Sequence, residues 1–151
     1  MRGFIPFPLP PVLARLHALL EGYTEEREQG FFLAEQDRSN QAQAQPVLIY
    51  VTESQLNAEV PATLEKKPPA WIGQVVTHDS SVERMRRYAA AGVQEYWRVA
   101  VDASSIEVHR EPQPDGTYAR REIFTGDDPV ISPTFADLKL TPARLVSEAR
   151  P

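Results

Sequence analysis

Apolar residues recur at helical spacing near the start of the chain and form short, strand-like runs further on. Apolar positions three and four residues apart predict an amphipathic helix over residues 11–21, which Gly22 is expected to end. The run GFFLAE (30–35) predicts a strand. The continuous run PVLIYV (46–51) is typical of a strand that is buried on both faces.

The second half of the chain predicts one further long helix and several more strands. AWIGQVVT (70–77) predicts a central strand. A capping box formed by Ser80 and Glu83 predicts the start of a helix, and Gly92 predicts its end. Three more strands and a short last helix follow, at 95–101, 105–110, 117–124 and from Thr141. This order predicts an α/β (α+β mixed) fold, with one central mixed sheet flanked by helices in a single domain, residues 1–151.

Composition narrows the possible functions. The chain has 151 residues and no cysteine, which excludes disulfides and thiolate metal sites. No stretch is long and apolar enough to span a membrane, so we expect a cytoplasmic protein without a membrane partner. The net charge of −5 argues against an open, strongly basic nucleic-acid surface.

A more specific signal comes from residues 69–102, PAWIGQVVTHDSSVERMRRYAAAGVQEYWRVAVD. This stretch resembles the Uma-two family, a bacterial group within the PD-(D/E)XK nuclease superfamily. The positions that match the family pattern in place are Tyr88, Ala91, Gly92, Val93, Glu95, Tyr96, Trp97, Val99 and Asp102. The resemblance implies a restriction-endonuclease-like fold, metal-dependent cleavage of phosphodiesters in intact members, and a homodimer.

The resemblance also locates the family's chemical positions, and this chain departs from the pattern at each of them. Ala70 stands at the position of the family's strand Asp, Gln74 at its Glu and Arg84 at its helix Lys. Pro46 stands where an Asp often occurs on the preceding strand. We also expect the chain to lack the family's usual N-terminal hairpin. Because Mg²⁺ prefers charged oxygen ligands, we expect no metal site and no cofactor, whereas an intact family site would use Mg²⁺.

These substitutions favour a catalytically inactive, degenerate nuclease-like protein that is retained for binding or assembly. One alternative is a working metal-dependent DNA endonuclease with a relocated site. The other is a structural or regulatory partner of an intact family member. The carboxylates and the histidine nearest in sequence to the family positions are Glu35, Glu53, His78, Asp79 and Glu83. Helix capping explains Asp79 and Glu83 better than metal binding does.

A group of cations near the predicted site could contact nucleic-acid phosphates, but only weakly. Its members are Arg84, Arg86, Arg87, Lys66 and Lys67. A solvated helix face, balanced by Glu83, is the favoured interpretation. Trp71, Tyr96 and Trp97 lie in apolar strands, which predicts core packing rather than base stacking.

Overall fold

The computed structural model describes residues 9–26, 31–37, 45–51, 69–76, 82–101, 103–136 and 138–149. Three helices lie in this part of the chain: α1 (Pro11–Glu26), α2 (Val82–Ala91) and α3 (Pro142–Ala149). None of the helices in these residues is long and apolar enough to cross a membrane. The strands are β1 (Phe31–Asp37), β2 (Gln45–Val51), β3 (Trp71–Val76), β4 (Glu95–Ala100), β5 (Ser105–Pro112) and β6 (Tyr118–Thr125).

The strands form one six-stranded sheet in the order β1-β2-β3-β4-β5-β6. Neighbouring strands are antiparallel except for β3 and β4, which are parallel. Parallel neighbours need a crossover connection, and here α2 lies between them in the chain. The predicted mixed sheet flanked by helices is therefore confirmed.

The larger core lies on the sheet face that packs against α1 and α3, which we call the α1 face. Its aromatic members are Phe32, Tyr50, Trp71, Trp97, Phe124 and Phe135. The Trp71 ring meets those of Trp97 and Phe135 edge to face, each at 5.4 Å between centroids. The predicted core packing of Trp71 and Trp97 is thus what the structure shows.

A smaller core lies on the opposite face, which packs against α2 and which we call the α2 face. Its members are Val47, Ile49, Ile72, Tyr88, Val93 and Tyr96, with Met85 and Tyr118 packed against them. The described side chains of β2 and β3 are buried or half-buried on both faces, which explains the continuous apolar runs of these strands.

Helix α2 ends as its sequence predicts. Gly92 has a φ of 94°, which is the left-handed conformation that favours glycine. The Gly92 and Val93 amides donate to the carbonyls of Ala89 and Tyr88, each at 3.0 Å, and so close a Schellman cap. Tyr118 adds a hydrogen bond from its hydroxyl to the Val93 carbonyl (2.9 Å), which fixes the start of β4 against β6.

The expected end of α1 at Gly22 is wrong, because the helix continues to Glu26. Residues beyond Gly22 are held by contacts with a distant segment and by one local side-chain hydrogen bond. Tyr23 donates to the Ala136 carbonyl, and its ring meets Phe135 edge to face. Thr24 is buried and donates to the Glu21 carbonyl (3.1 Å). Tertiary contacts therefore outweigh the local cost of a glycine inside the helix.

Candidate active site

Gln74, which the sequence predicts at the family's Glu position, lies on β3 with its side chain among groups of the α2 face. It is 2% exposed, and its Oε1 accepts a hydrogen bond of 2.7 Å from the Tyr96 hydroxyl. The Tyr96 ring in turn meets that of Tyr88, from α2, edge to face. The amide oxygen of Gln74 is thus directed at a neighbouring core side chain.

A row of four residues in register crosses the α2 face at this position. Gln74 pairs with Arg98 on β4, Arg98 with Glu107 on β5, and Glu107 with Ile123 on β6. We call these residues the Gln74 row. Adjacent strands are about 4.8 Å apart, so Gln74 and Glu107 flank Arg98 across two strand spacings, roughly 9.6 Å.

Glu107 is the carboxylate of this row, and three side chains with potential positive charge surround it. Its Oε1 lies 3.1 Å from His109 Nε2, 3.3 Å from Arg121 Nε and 3.6 Å from Arg98 Nη1. The hydrogen bond from His109 is the largest cause that lowers the pKa of Glu107, and the charges of Arg98 and Arg121 add to it, against the opposing effect of burial.

The Gln74 row does not fit a divalent cation. Gln74 offers one neutral oxygen, already engaged by Tyr96, and the position between Gln74 and Glu107 carries the Arg98 guanidinium. Two unit charges about 5 Å apart at an effective dielectric constant of about 20 interact by about 3 kcal/mol, and a divalent ion doubles this repulsion. Among the residues that the structure describes, no group of three His, Asp or Glu side chains is arranged to hold a metal.

Of the other predicted family positions, only Ala70 has a described side chain. Ala70 lies at a bend before β3, donates from its amide to the Tyr50 carbonyl (3.1 Å) and packs against the core of the α1 face. Pro46 lies on β2 opposite Gln36. Arg84 lies on α2, but its side chain is outside the described part of the chain. The roles assigned to these residues therefore stay predictions.

The predicted basic group is only partly described. Arg86 and Arg87 are exposed on α2, and Arg86 lies beside the β5–β6 turn at Gly116. Lys66 and Lys67 are outside the described residues. The candidates for a relocated site, Glu35, Glu53, His78, Asp79 and Glu83, are likewise outside them or have side chains that are.

Glu95, which matches the family pattern, joins β4 to the segment before α3. Its Oε2 accepts from Trp97 Nε1 and from the Ser132 hydroxyl, each at 2.5 Å. Its Oε1 accepts from the amide and hydroxyl of Thr134, at 3.1 and 2.9 Å. This carboxylate lies on the α1 face, so its role is structural and separate from the Gln74 row.

Sequence reasoning assigned no role in the site to Arg98, Glu107, His109 or Arg121. The available signal was a polar residue with an apolar neighbour on each side. In EYWRVAV, Arg98 falls between the apolar Trp97 and Val99, and in SIEVHR Glu107 lies between apolar residues in the same way. Which polar faces meet depends on the register between β4 and β5, which this pattern alone does not give.

The mixed sheet with its β3-α2-β4 crossover and flanking helices is a restriction-endonuclease-like fold. The chain belongs to the Uma2 family, the Uma-two family that its sequence resembles: residues 11–143 match the family model, whose description is "Putative restriction endonuclease". The fold is similar to that of a crystal structure from Anabaena variabilis described as a "putative nuclease belonging to DUF820", with a TM-score of 0.69 and 17% identity. That similarity covers 96% of this chain and 85% of the other. No curated protein matches the chain.

Proposed function

We propose that this chain is a non-catalytic member of its restriction-endonuclease-like family and acts by binding or assembly. The observation that carries the proposal is the state of Gln74. At the position where the family pattern has a glutamate, the chain has a buried amide whose oxygen accepts from Tyr96.

Hydrolysis by this superfamily requires a divalent metal that activates water and neutralises charge on the phosphate. Such a metal would need carboxylate oxygens on β3 and just before it, where this chain offers Gln74 and Ala70. Arg84 keeps a positive charge at the lysine position, but its planar guanidinium stays protonated and does not reproduce the chemistry of an amine. The three changes together favour loss of catalysis over a tolerated single variant.

The test is a cleavage assay on supercoiled plasmid and single-stranded DNA with Mg²⁺ or Mn²⁺. We expect no nicking above that of a parallel preparation from cells without the gene. The Glu107→Gln variant is the matched control, because Glu107 is the carboxylate of the Gln74 row. Metal-dependent nicking that follows the protein through purification would overturn the proposal. Its loss in this variant would assign the activity to the Gln74 row, and its persistence would indicate a relocated site.

We also propose that the protein is a cytoplasmic homodimer. Two large apolar side chains among the described residues, Ile123 and Ile131, are at least half exposed. A second copy of the chain could bury this apolar surface. Multi-angle light scattering should give twice the chain mass of 17.0 kDa. A monomer mass at high protein concentration would count against assembly as the retained role.

We also propose that the protein binds nucleic acid weakly through Arg86 and Arg87, which are exposed. The net charge of −5 limits its strength, and contacts to phosphates should make it strongly dependent on salt. Fluorescence anisotropy with a labelled duplex should show binding at low salt that an Arg86→Ala/Arg87→Ala variant loses. Equal binding by the variant would exclude these arginines.

A further inference from the structure

Arg98 holds an unusual place for a cation in this fold. It is 12% exposed, and on β4 it lies between Trp97 and Val99, whose side chains belong to the core of the α1 face. Its own side chain lies on the opposite face, where Nη1 is 3.6 Å from Glu107 Oε1. Its register partner on the other side is Gln74.

We propose that Arg98 is a built-in cation that supplies the positive charge of the Gln74 row and keeps a divalent metal out of it. The row then contains a neutral amide, a guanidinium and a carboxylate in register, and its only unit charges, on Arg98 and Glu107, compensate each other. This inference deepens the proposed function and rests on it. It adds that a positive charge opposes metal binding in the row, beyond the lack of carboxylate ligands.

The geometry distinguishes Arg98 from the other arginine on the same carboxylate. Arg121 also contacts Glu107 Oε1, but it is 58% exposed and belongs to the neighbouring row, opposite His109. In the strand register, Arg98 is the residue between Gln74 and Glu107. Replacement of Arg98 would therefore remove the cation between Gln74 and Glu107. Replacement of Arg121 would only remove one of the contacts of Glu107.

The proposal has a specific consequence for attempts to rebuild a metal site. A glutamate placed at position 74 would have Arg98 as its neighbour at one strand spacing, about 4.8 Å away, and would pair with it rather than with a metal. If Arg98 is also replaced by methionine, the cation is lost, and the introduced glutamate and Glu107 would flank an uncharged, flexible side chain. Two glutamates about 9.6 Å apart across two strand spacings can converge on one ion there.

The experiment compares Gln74→Glu, Gln74→Glu/Arg98→Met and the matched control Gln74→Glu/Arg121→Met in thermal unfolding with and without Mn²⁺. We expect a Mn²⁺-dependent rise in Tm only for the Arg98→Met double variant. The rise should be roughly 5 °C or more once free Mn²⁺ exceeds the dissociation constant about 100-fold. An equal response of Gln74→Glu alone, or no response of the folded Arg98→Met double variant, would overturn the role of Arg98.

If the Arg98→Met double variant does not fold without metal, the same titration is followed by circular dichroism. Mn²⁺ must then restore the folded spectrum, because a ligand that binds only the folded state drives folding, and failure to do so would overturn the proposal. The proposed function is tested separately. Cleavage by the unchanged protein would overturn it without any of these variants, whereas a Mn²⁺ response of Gln74→Glu alone would overturn only the role of Arg98.

Discussion

Two glutamates on neighbouring strands have opposite surroundings. Glu95 is 1% exposed on the α1 face, and four hydrogen bonds from Trp97, Ser132 and Thr134 converge on its two oxygens. Glu107, on the α2 face, is bound by side chains with potential positive charge. Glu95 ties β4 to the segment before α3. Glu107 balances positive charge beside the candidate site.

The hydrogen bonds of Glu95 predict a large cost for an almost isosteric change. In Glu95→Gln one oxygen becomes an NH₂ donor, which would face either the two Thr134 donors or those of Trp97 and Ser132. Because buried donors without acceptors are costly, we expect a loss of about 3 kcal/mol in the free energy of unfolding, measured by urea denaturation.

Glu111→Gln is the matched control for this change. The Glu111 carboxylate is half-exposed, and its ion pair with Arg120 (2.6 Å) is solvated, so we expect a loss of less than about 1 kcal/mol. Similar losses in both variants would show that the four contacts of Glu95 do not stabilise the fold as described.

Glu107 predicts a dependence of stability on pH. Its pKa is lower in the folded protein than the ordinary value of 4.5, so its ionised form stabilises the fold above that value. This contribution is lost as the pH falls through the folded-state pKa. Glu107→Gln should therefore lower Tm at neutral pH, and the difference from the unchanged protein should shrink at acid pH. A difference that is constant or grows toward acid pH would contradict the assigned ion pairs.

At the scale of elements, two glycines have opposite surroundings, one in a helix and one in a strand. Gly22 lies inside α1, where an added Cβ would meet nothing within 4 Å. Gly73 lies on β3, where an added Cβ would overlap the Trp71 ring. The Trp71 ring is held by Phe32, Trp97 and Phe135, so it has little room to move.

We therefore expect opposite effects from the same substitution. Gly22→Ala should stabilise the protein by about 0.5–1 kcal/mol, because alanine favours a helix interior. Gly73→Ala should destabilise it by about 1–3 kcal/mol through overpacking. Chemical denaturation of the two variants measures both changes in the free energy of unfolding. A destabilising Gly22→Ala would indicate that α1 ends at Gly22 after all.

Most elements could be predicted because their signals are local. The run PVLIYV predicts β2, and the Gly92 cap predicts the end of α2. Each signal depends on only a few neighbouring residues. The extension of α1 past Gly22 could not be predicted, because Tyr23 is held by Ala136 and Phe135, which are far away in the sequence. Local propensity is a weak determinant where such tertiary contacts exist.

At the scale of the whole molecule, residues that match the family pattern hold the fold together. Glu95, Trp97 and Tyr96 match the family pattern, and each is buried in a packed or hydrogen-bonded role. The matched frame was enough to predict the fold and to point to Gln74. The row around Gln74 was not predictable, because Arg98 and Glu107 meet it only through the register of three strands.

The central claim is that this frame no longer holds a hydrolytic metal. Anomalous difference density from a crystal of the unchanged protein soaked in Mn²⁺ tests it most directly, because Mn²⁺ scatters anomalously and substitutes for Mg²⁺ at oxygen sites. We predict no Mn²⁺ peak within coordination distance of Gln74 or Glu107. A Mn²⁺ ion bound there, or bound elsewhere in the chain by two or more carboxylates beside an open coordination position, would contradict the account.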